Sequence, residues 1–289
     1  MSLNLLQAWQ TAKGRLEAAG LAGPVIDARL LVEAAADVTR ADIVGDPYRP
    51  LTDAQEKTLE DYLGRREKRE PVAHILGRKG FWKIMLSVNP HVLTPRPDTE
   101  VIVDHALKSF PEHMAFQILD LGVGSGAILL SILAERPAAK GLGIDVSEEA
   151  LAVSRENAAN LGLANKVALL RGDWTAGLAD DSFDLVVSNP PYIATGVIES
   201  LEPEVRDHEP RLALDGGADG LDAYRVLAPE ILRVLKPGGI FAVEIGYDQK
   251  AAVEALFRQA GASQVQTLLD LANRDRVVTG TKNPLENRT

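Results

Sequence analysis

Between residues 116 and 281 the chain carries seven short apolar runs, FQILDLG, GLGIDV, KVALLRGD, FDLVVSN, GGIFAVEIG, SQVQTLL and RVVTGT, with helix-forming stretches such as SEEALAVSRENAANLG between them. Runs this short and this continuously apolar suit strands buried on both faces, and the intervening helices must supply the cover. The expected fold is α/β: a mostly parallel, seven-stranded, Rossmann-like sheet. No apolar run reaches the roughly 18 residues of a membrane span, so no membrane partner is expected.

The first seventy residues have a different texture. Ser2 is placed to cap a helix carrying Leu3, Leu6, Trp9 and Leu16 and closed by Gly20, and Pro24 takes a first-turn position in PVIDARLLVEAAADVT. Thr52 and Gln55 form a capping box ahead of DAQEKTLEDYLGRREKRE, which Pro71 terminates. A small helical bundle is expected over 1–80. After it, Trp82, Ile84, Leu86 and Val88 alternate at period two, NPH at 89–91 reads as a turn, and Val92 and Leu93 resume the apolar pattern. This predicts a β-hairpin linker over 81–94, with the α/β domain filling 95–289.

Charge divides along the same line. Residues 1–90 hold 13 Lys+Arg against 12 Asp+Glu, whereas the remainder holds 18 against 29. The acidic α/β part is a poor match for a nucleic-acid backbone, so no DNA partner is expected. The basic stretch from Leu63 to Lys83 reads either as a solvated helix end, with cations favoured near the C-terminus, or as a docking face for an acidic or RNA-containing partner. With no cysteine there is no disulfide frame and no Cys-based zinc site; no metal is expected, and a cytoplasmic location fits.

Four strand ends carry candidate chemistry. In ILDLGVGSGAILLSILAE an apolar strand runs through Gly122, Val123, Gly124, Ser125 and Gly126 into a helix, a setting in which free N-terminal amides can meet an anionic ligand group. Asp145 ends the next strand, where a carboxylate can accept both hydroxyls of a ribose, or simply cap the helix that follows. Asp173 and Trp174 end the third, suited to an exocyclic amine and an adenine face. The glycine spacing is GxGxG rather than the GxGxxG that seats a pyrophosphate, and Asp120 just before it favours an ammonium group. S-adenosyl-L-methionine has both the ammonium and the carboxylate, and it would leave as S-adenosyl-L-homocysteine.

The fourth strand ends in SNPPYI. Two prolines at a strand end forfeit ladder hydrogen bonds, so the geometry they fix must have a use. The Asn189 side-chain oxygen and the Pro190 carbonyl are two acceptors, Pro191 stiffens the turn, and Tyr192 offers a flat face. Such a set suits a planar NH2 group, whose delocalised lone pair becomes more nucleophilic when acceptors hold its hydrogens and aim it. His91 and His105 are expected to be ordinary histidines, and no general base is named.

PRPDTE at 95–100, DLGVGSGAI at 120–128, NPPYI at 189–193 and EPRLALDGGADGLDAYR at 209–225 together resemble the protein-(glutamine-N5) methyltransferases that modify peptide chain release factors. The resemblance covers nearly the whole chain. NPPY alone is shared with adenine and cytosine amino-methyltransferases, whereas PRPDTE and EPRLALDGG are specific to the family. It implies a class I methyltransferase that uses S-adenosylmethionine to methylate the glutamine of the release factors' GGQ loop. The Gly122–Gly126 loop, Asp145, Trp174 and Asn189 would meet the cofactor, Asn189 to Tyr192 the substrate, and the N-terminal domain would help hold class 1 release factors. Val123 stands where many relatives have Thr. The alternatives are an adenine-N6 methyltransferase acting on DNA or RNA, and a binding protein that has kept the fold and lost the activity.

Overall fold

The structure, a computed structural model, describes residues 2–284. It divides into two compact units. One consists of the residues up to Arg78 together with Glu202–His208, and the other of Lys79–Leu201 and the residues from Glu209 on. Five helices make up most of the first: α1 (Leu5–Ala18), α2 (Pro24–Ala36), α3 (Arg40–Gly45), α4 (Asp53–Glu67) and α5 (Val72–Leu76). In chain order there follow a hairpin, β1 (Arg78–Phe81) and β2 (Ile84–Ser87), then α6 (Glu100–Ser109), β3 (Gln117–Leu121), α7 (Ala127–Glu135), β4 (Lys140–Asp145), α8 (Glu148–Asn160), β5 (Val167–Arg171) and β6 (Phe183–Ser188). The short α9 (Pro203–Arg206) lies in the segment grouped with the helical unit. After it come α10 (Asp222–Val234), β7 (Leu235–Glu244), α11 (Lys250–Gln259), β8 (Ala262–Leu269) and β9 (Asp275–Lys282). No described helix is long and apolar enough to cross a membrane.

In the helical unit the predicted box of Thr52 and Gln55 caps α4. Asn4, not Ser2, caps α1: its side chain accepts from Gln7 N while the Gln7 side chain takes the Asn4 amide, which satisfies two otherwise orphaned donors. Starting the helix there turns Leu5, Ala8, Ala12 and Leu16 inward, against Leu31, Val32, Leu59 and Leu63. Each buried leucine contributes about 1.5–3 kcal/mol relative to an exposed one. Arg66 is buried here as well, and each of its three guanidinium nitrogens has an acceptor: it pairs with Asp27 at 2.8 Å and Glu204 at 3.1 Å and donates to the Glu70 carbonyl.

The larger unit is built on a sheet of order β5-β4-β3-β6-β7-β9-β8. Strands β3 to β7 pair in parallel; β9 runs antiparallel to both β7 and β8. Successive side chains of β3 serve opposite faces. Ile118 joins Leu129, Leu130, Ile102 and the hairpin's Phe81 and Leu86, while Leu119 and Leu121 join Tyr224, Leu227, Ile231, Phe241 and Phe257. Continuous apolar runs were therefore the correct signature of two-sided burial. The hairpin exists, but its turn falls at Trp82–Lys83 rather than at NPH. Trp82 adopts a left-handed φ of 52°, and its amide donates to Glu100 Oε1 at 2.8 Å, a tertiary bond that fixes the turn.

Candidate active site

In an open α/β sheet, ligands bind beyond the carboxyl ends of the strands, where the strand order reverses. Here the reversal is at β3, flanked by β4 on one side and β6 on the other. Leu121 pairs with Ile144 and with Ser188, so the ends of the three strands lie side by side and the loops that follow them open on one cavity of about 290 Å³. Gly122, Val123, Gly124, Ser125, Asp145, Asp173, Trp174, Asn189 and Pro191 all line it, together with Thr99 and residues of the 210–213 segment.

The glycine loop is held from beneath. Gly122 and Val123 both donate their amides to the Ile144 carbonyl, and Gly124 donates to Asp145 Oδ2 at 2.9 Å. Three of the amides expected to greet a ligand are therefore spent inside the protein, a correction to the sequence reading. Gly126 does not line the cavity. It begins α7 with φ 83°, and a Cβ there would lie 2.7 Å from both Leu130 Cδ1 and Ser154 Oγ, so no other residue fits.

Asp145 takes Gly124 N on one oxygen and Ser147 N on the other. Each carboxylate oxygen keeps further lone-pair capacity, so the loop-anchoring and ribose-accepting roles are compatible. Trp174 reaches the cavity from a left-handed backbone, φ 48°. Asp120 is buried at the end of β3, and neither oxygen completes a hydrogen bond among the described residues. Burial raises its pKa to about 7, opposed by the Leu129 amide in the first turn of α7 and helped by the charge of Asp145. An unpartnered acid beside a glycine loop, a second acid on the neighbouring strand and an indole fit a cationic, ribose-bearing ligand such as S-adenosylmethionine.

The NPPY turn divides its residues. Asn189 and Pro191 face the cavity, whereas Pro190 is buried and Tyr192 lies to one side, against the apolar layer under α10. The flat face expected of Tyr192 toward a substrate is not what the structure shows. Its hydroxyl donates to Glu244 Oε1 at 3.2 Å, and burial, with the Glu244 charge, raises its pKa. The glycines of the DGGADG segment close the turn from outside: a Cβ on Gly220 would sit 2.4 Å from the Tyr192 carbonyl oxygen.

PRPDTE proves to be a clamp. Arg96 donates to both oxygens of Glu209 at 2.8 Å, Asp98 meets Arg276 at 3.5 Å, Thr99 accepts from Asn189 Nδ2 at 3.4 Å, and Glu100 holds the Trp82 amide. Glu209 is buried, which raises its pKa against the pull of Arg96. Sequence reasoning used this motif only for resemblance and missed Thr99, Arg96 and Glu209 as site residues; the signal was their clustering in two unusually polar segments. His91, read as ordinary, lines the cavity, while His105 is partly buried with Nε2 2.9 Å from Thr279 Oγ1.

A seven-stranded, mostly parallel sheet with a glycine loop at its reversal point and an Asn-Pro-Pro-Tyr turn beside it defines a methyltransferase. Residues 112–278 match the model of a methyltransferase domain, and residues 7–77 match that of the PrmC N-terminal domain. The chain belongs to the release factor glutamine methyltransferases: it is 72% identical to one from Caulobacter vibrioides over 99% of both chains, and 42% identical to one from Agrobacterium fabrum over 93% of this chain and 94% of that one. A methyltransferase crystal structure from Pyrococcus furiosus, 20% identical, shares the fold with a TM-score of 0.51, covering 68% of this chain and 88% of its own.

Proposed function

We propose that this enzyme transfers a methyl group from S-adenosyl-L-methionine to the side-chain amide nitrogen of the glutamine in the GGQ loop of class 1 peptide chain release factors, modulating translation termination. The observation that carries the reading is the placement of Asn189 on the same cavity as the Gly122–Ser125 loop, Asp145 and Trp174. S-adenosylmethionine supplies an electrophilic methyl on a sulfonium. Asp145 and Trp174 hold the adenosine end, and Asp120 favours the ammonium end. Asn189 Oδ1 accepts a hydrogen of the substrate NH2, and the backbone carbonyl of Pro190, whose ring is buried, is the second acceptor; together they sharpen the nitrogen lone pair and stabilise the positive charge that develops as the bond forms. Pro191 keeps the turn rigid. The extra proton of the methylated amide is strongly acidic and leaves through Asn189 or water.

Residues 1–80 serve as the release-factor-holding domain and 95–289 as the catalytic domain, with 81–94 as the hairpin between them. Release factors act in the cytosol, which places the enzyme there. The test is incubation with labelled S-adenosylmethionine and either intact release factor or DNA. Label is expected on the GGQ glutamine and not on DNA. A release factor with Asn in place of that Gln, its nitrogen about 1 Å short, should react roughly a hundredfold more slowly. Equal labelling of the Asn variant would refute the amide geometry, and labelling of DNA would refute the substrate class.

A further inference from the structure

A side-chain amide has nearly the same shape either way round, and only one orientation of Asn189 turns Oδ1 rather than Nδ2 toward a substrate amine. The wrong orientation would set donor against donor. We infer that Thr99 and Glu244 are positioning residues that lock the productive orientation: the buried carboxylate takes the Thr99 hydroxyl proton, leaving the hydroxyl oxygen able only to accept from Asn189 Nδ2. This rests on the proposed role of Asn189 as the acceptor for the substrate amide.

The geometry follows one chain of contacts. Asn189 Nδ2 donates to Thr99 Oγ1 at 3.4 Å, Tyr192 Oη donates to Glu244 Oε1 at 3.2 Å, and Glu244 Oε2, buried without a hydrogen-bond partner among the described residues, has the capacity to take the hydroxyl proton of Thr99, whose proximity helps to lower the Glu244 pKa. Thr99 is 4% exposed and Glu244 2%. A threonine hydroxyl alone is indifferent, since it donates as readily as it accepts. An ionised carboxylate is not, because it has no proton to give. Glu244 therefore directs both hydroxyl protons toward itself, and through them it fixes the two ends of the NPPY turn, Asn189 and Tyr192. A glutamine would fill the same space but would offer an NH2 on one side, able to reverse the Thr99 hydroxyl and with it the Asn189 amide.

Glu244 ends β7, and its surroundings hold it between two tendencies. Burial raises its pKa above the ordinary carboxylate range and the Asp98 charge adds to this; the Thr99 and Tyr192 hydroxyls and the Arg276 charge pull it down. Arg276 on β9 is itself shared with Asp270 at 3.2 Å and Asp98 at 3.5 Å, and Tyr224 Oη donates to the Glu244 backbone carbonyl at 2.6 Å. A proton arriving on Glu244 at low pH could be donated to Thr99. Turnover is therefore lost as pH falls through the raised pKa.

The experiment compares Thr99→Val, Thr99→Ser, Glu244→Gln and Asn189→Ala, each as full chain with intact release factor, by kcat across pH and by calorimetric affinity for S-adenosylmethionine. Thr99→Val should lower kcat roughly tenfold to a hundredfold with cofactor affinity unchanged, the scale of misplacing one reacting group. Thr99→Ser should recover most of the loss. Glu244→Gln should lower kcat similarly and lack the acid limb of the native profile, and its effect should shrink in the Thr99→Val background, because both act through one amide. Native kcat in Thr99→Val alongside an inactive Asn189→Ala would overturn the relay while sparing the role of Asn189. Full activity in Asn189→Ala would instead remove that role itself. Equal losses in the Val and Ser variants would mean that packing, not the hydroxyl, matters, and would also overturn the relay. Should Glu244→Gln fail to fold, the Thr99 pair still decides.

Discussion

Arg66 in the helical unit and Asp120 in the catalytic unit are both buried charged side chains, yet their surroundings differ. Around Arg66 each nitrogen of the guanidinium has an acceptor, two of them carboxylates. Around Asp120 no cation is in contact and both oxygens lack a hydrogen-bond partner among the described residues. A buried ion with its partner missing costs several kcal/mol, so a fold concerned only with stability would have resolved the second case as it resolved the first. The difference teaches that the helical unit uses its buried charge to hold segments of chain together, whereas the sheet keeps acids at its strand ends for what binds there.

The largest effect that could break this contrast is on the paired side. Arg66→Met leaves the half-buried Asp27 without its cation, and the unfolding midpoint of the helical unit should fall by an amount equivalent to about 3 kcal/mol, the lower end for breaking a buried pair. Methylation of a short GGQ peptide should be spared. A Tm unchanged within a degree would show the ion pair to be idle. On the catalytic side Asn189→Ala should cost roughly a hundredfold to a thousandfold in kcat, the scale of one preorganised polar contact, with Tm unmoved. A matching fall in Tm would make Asn189 a structural residue like Arg66.

Asp145→Ala comes next. Loss of a charged hydrogen-bond acceptor should weaken S-adenosylmethionine by about 1.5–3 kcal/mol, read by calorimetry, and raise its KM more than it lowers kcat. An unchanged affinity would confine Asp145 to anchoring Gly124 and Ser147. The smallest effect is the most diagnostic of an unpaired acid. Because the folded pKa of Asp120 is raised to about 7, the native state holds a proton that the unfolded chain has released, and stability falls as pH rises from the ordinary carboxylate range to about 7. Between pH 6 and 7 this amounts to about 1 kcal/mol. Asp120→Asn should abolish that slope in the ligand-free enzyme, measured by denaturant melts at the two pH values, and should weaken the cofactor; an unaltered slope would assign it to other groups.

The catalytic sheet was legible because its strands are short and apolar on both faces, a pattern that a helix of the same composition would have to extend. That the glycine loop, Asp145, Trp174 and Asn189 meet on one cavity was legible for a related reason: each lies at or just beyond the carboxyl end of a strand, so a position in sequence translates into a position at the sheet's edge. Thr99 and Glu244 were not. They reach Asn189 and Tyr192 only through parallel pairing and loop packing between residues 90 and 52 apart, and no local pattern encodes such a meeting. Nor could periodicity show that Glu202–His208 belongs with the helices, since a short charged helix reads alike wherever it packs. The start of α1 and the hairpin turn were misplaced because side-chain hydrogen bonds, Asn4 to Gln7 and Glu100 to Trp82, decided between alternatives that the apolar spacing left nearly equal.

Strand β9 follows β8 in sequence yet inserts between β8 and β7. During synthesis this has a consequence for timing. The five N-terminal helices rely on local contacts and can consolidate early, but while β9 is still unmade β7 presents a bare hydrogen-bonding edge and β8 has no strand to pair with. Arg276, whose charge helps to lower the Glu244 pKa, is carried by that strand. A chain cut short of residue 275 therefore has the glycine loop, Asp145 and NPPY present in sequence but an open, aggregation-prone sheet edge at β7, so closing that edge and bringing Arg276 toward Glu244 both wait on β9.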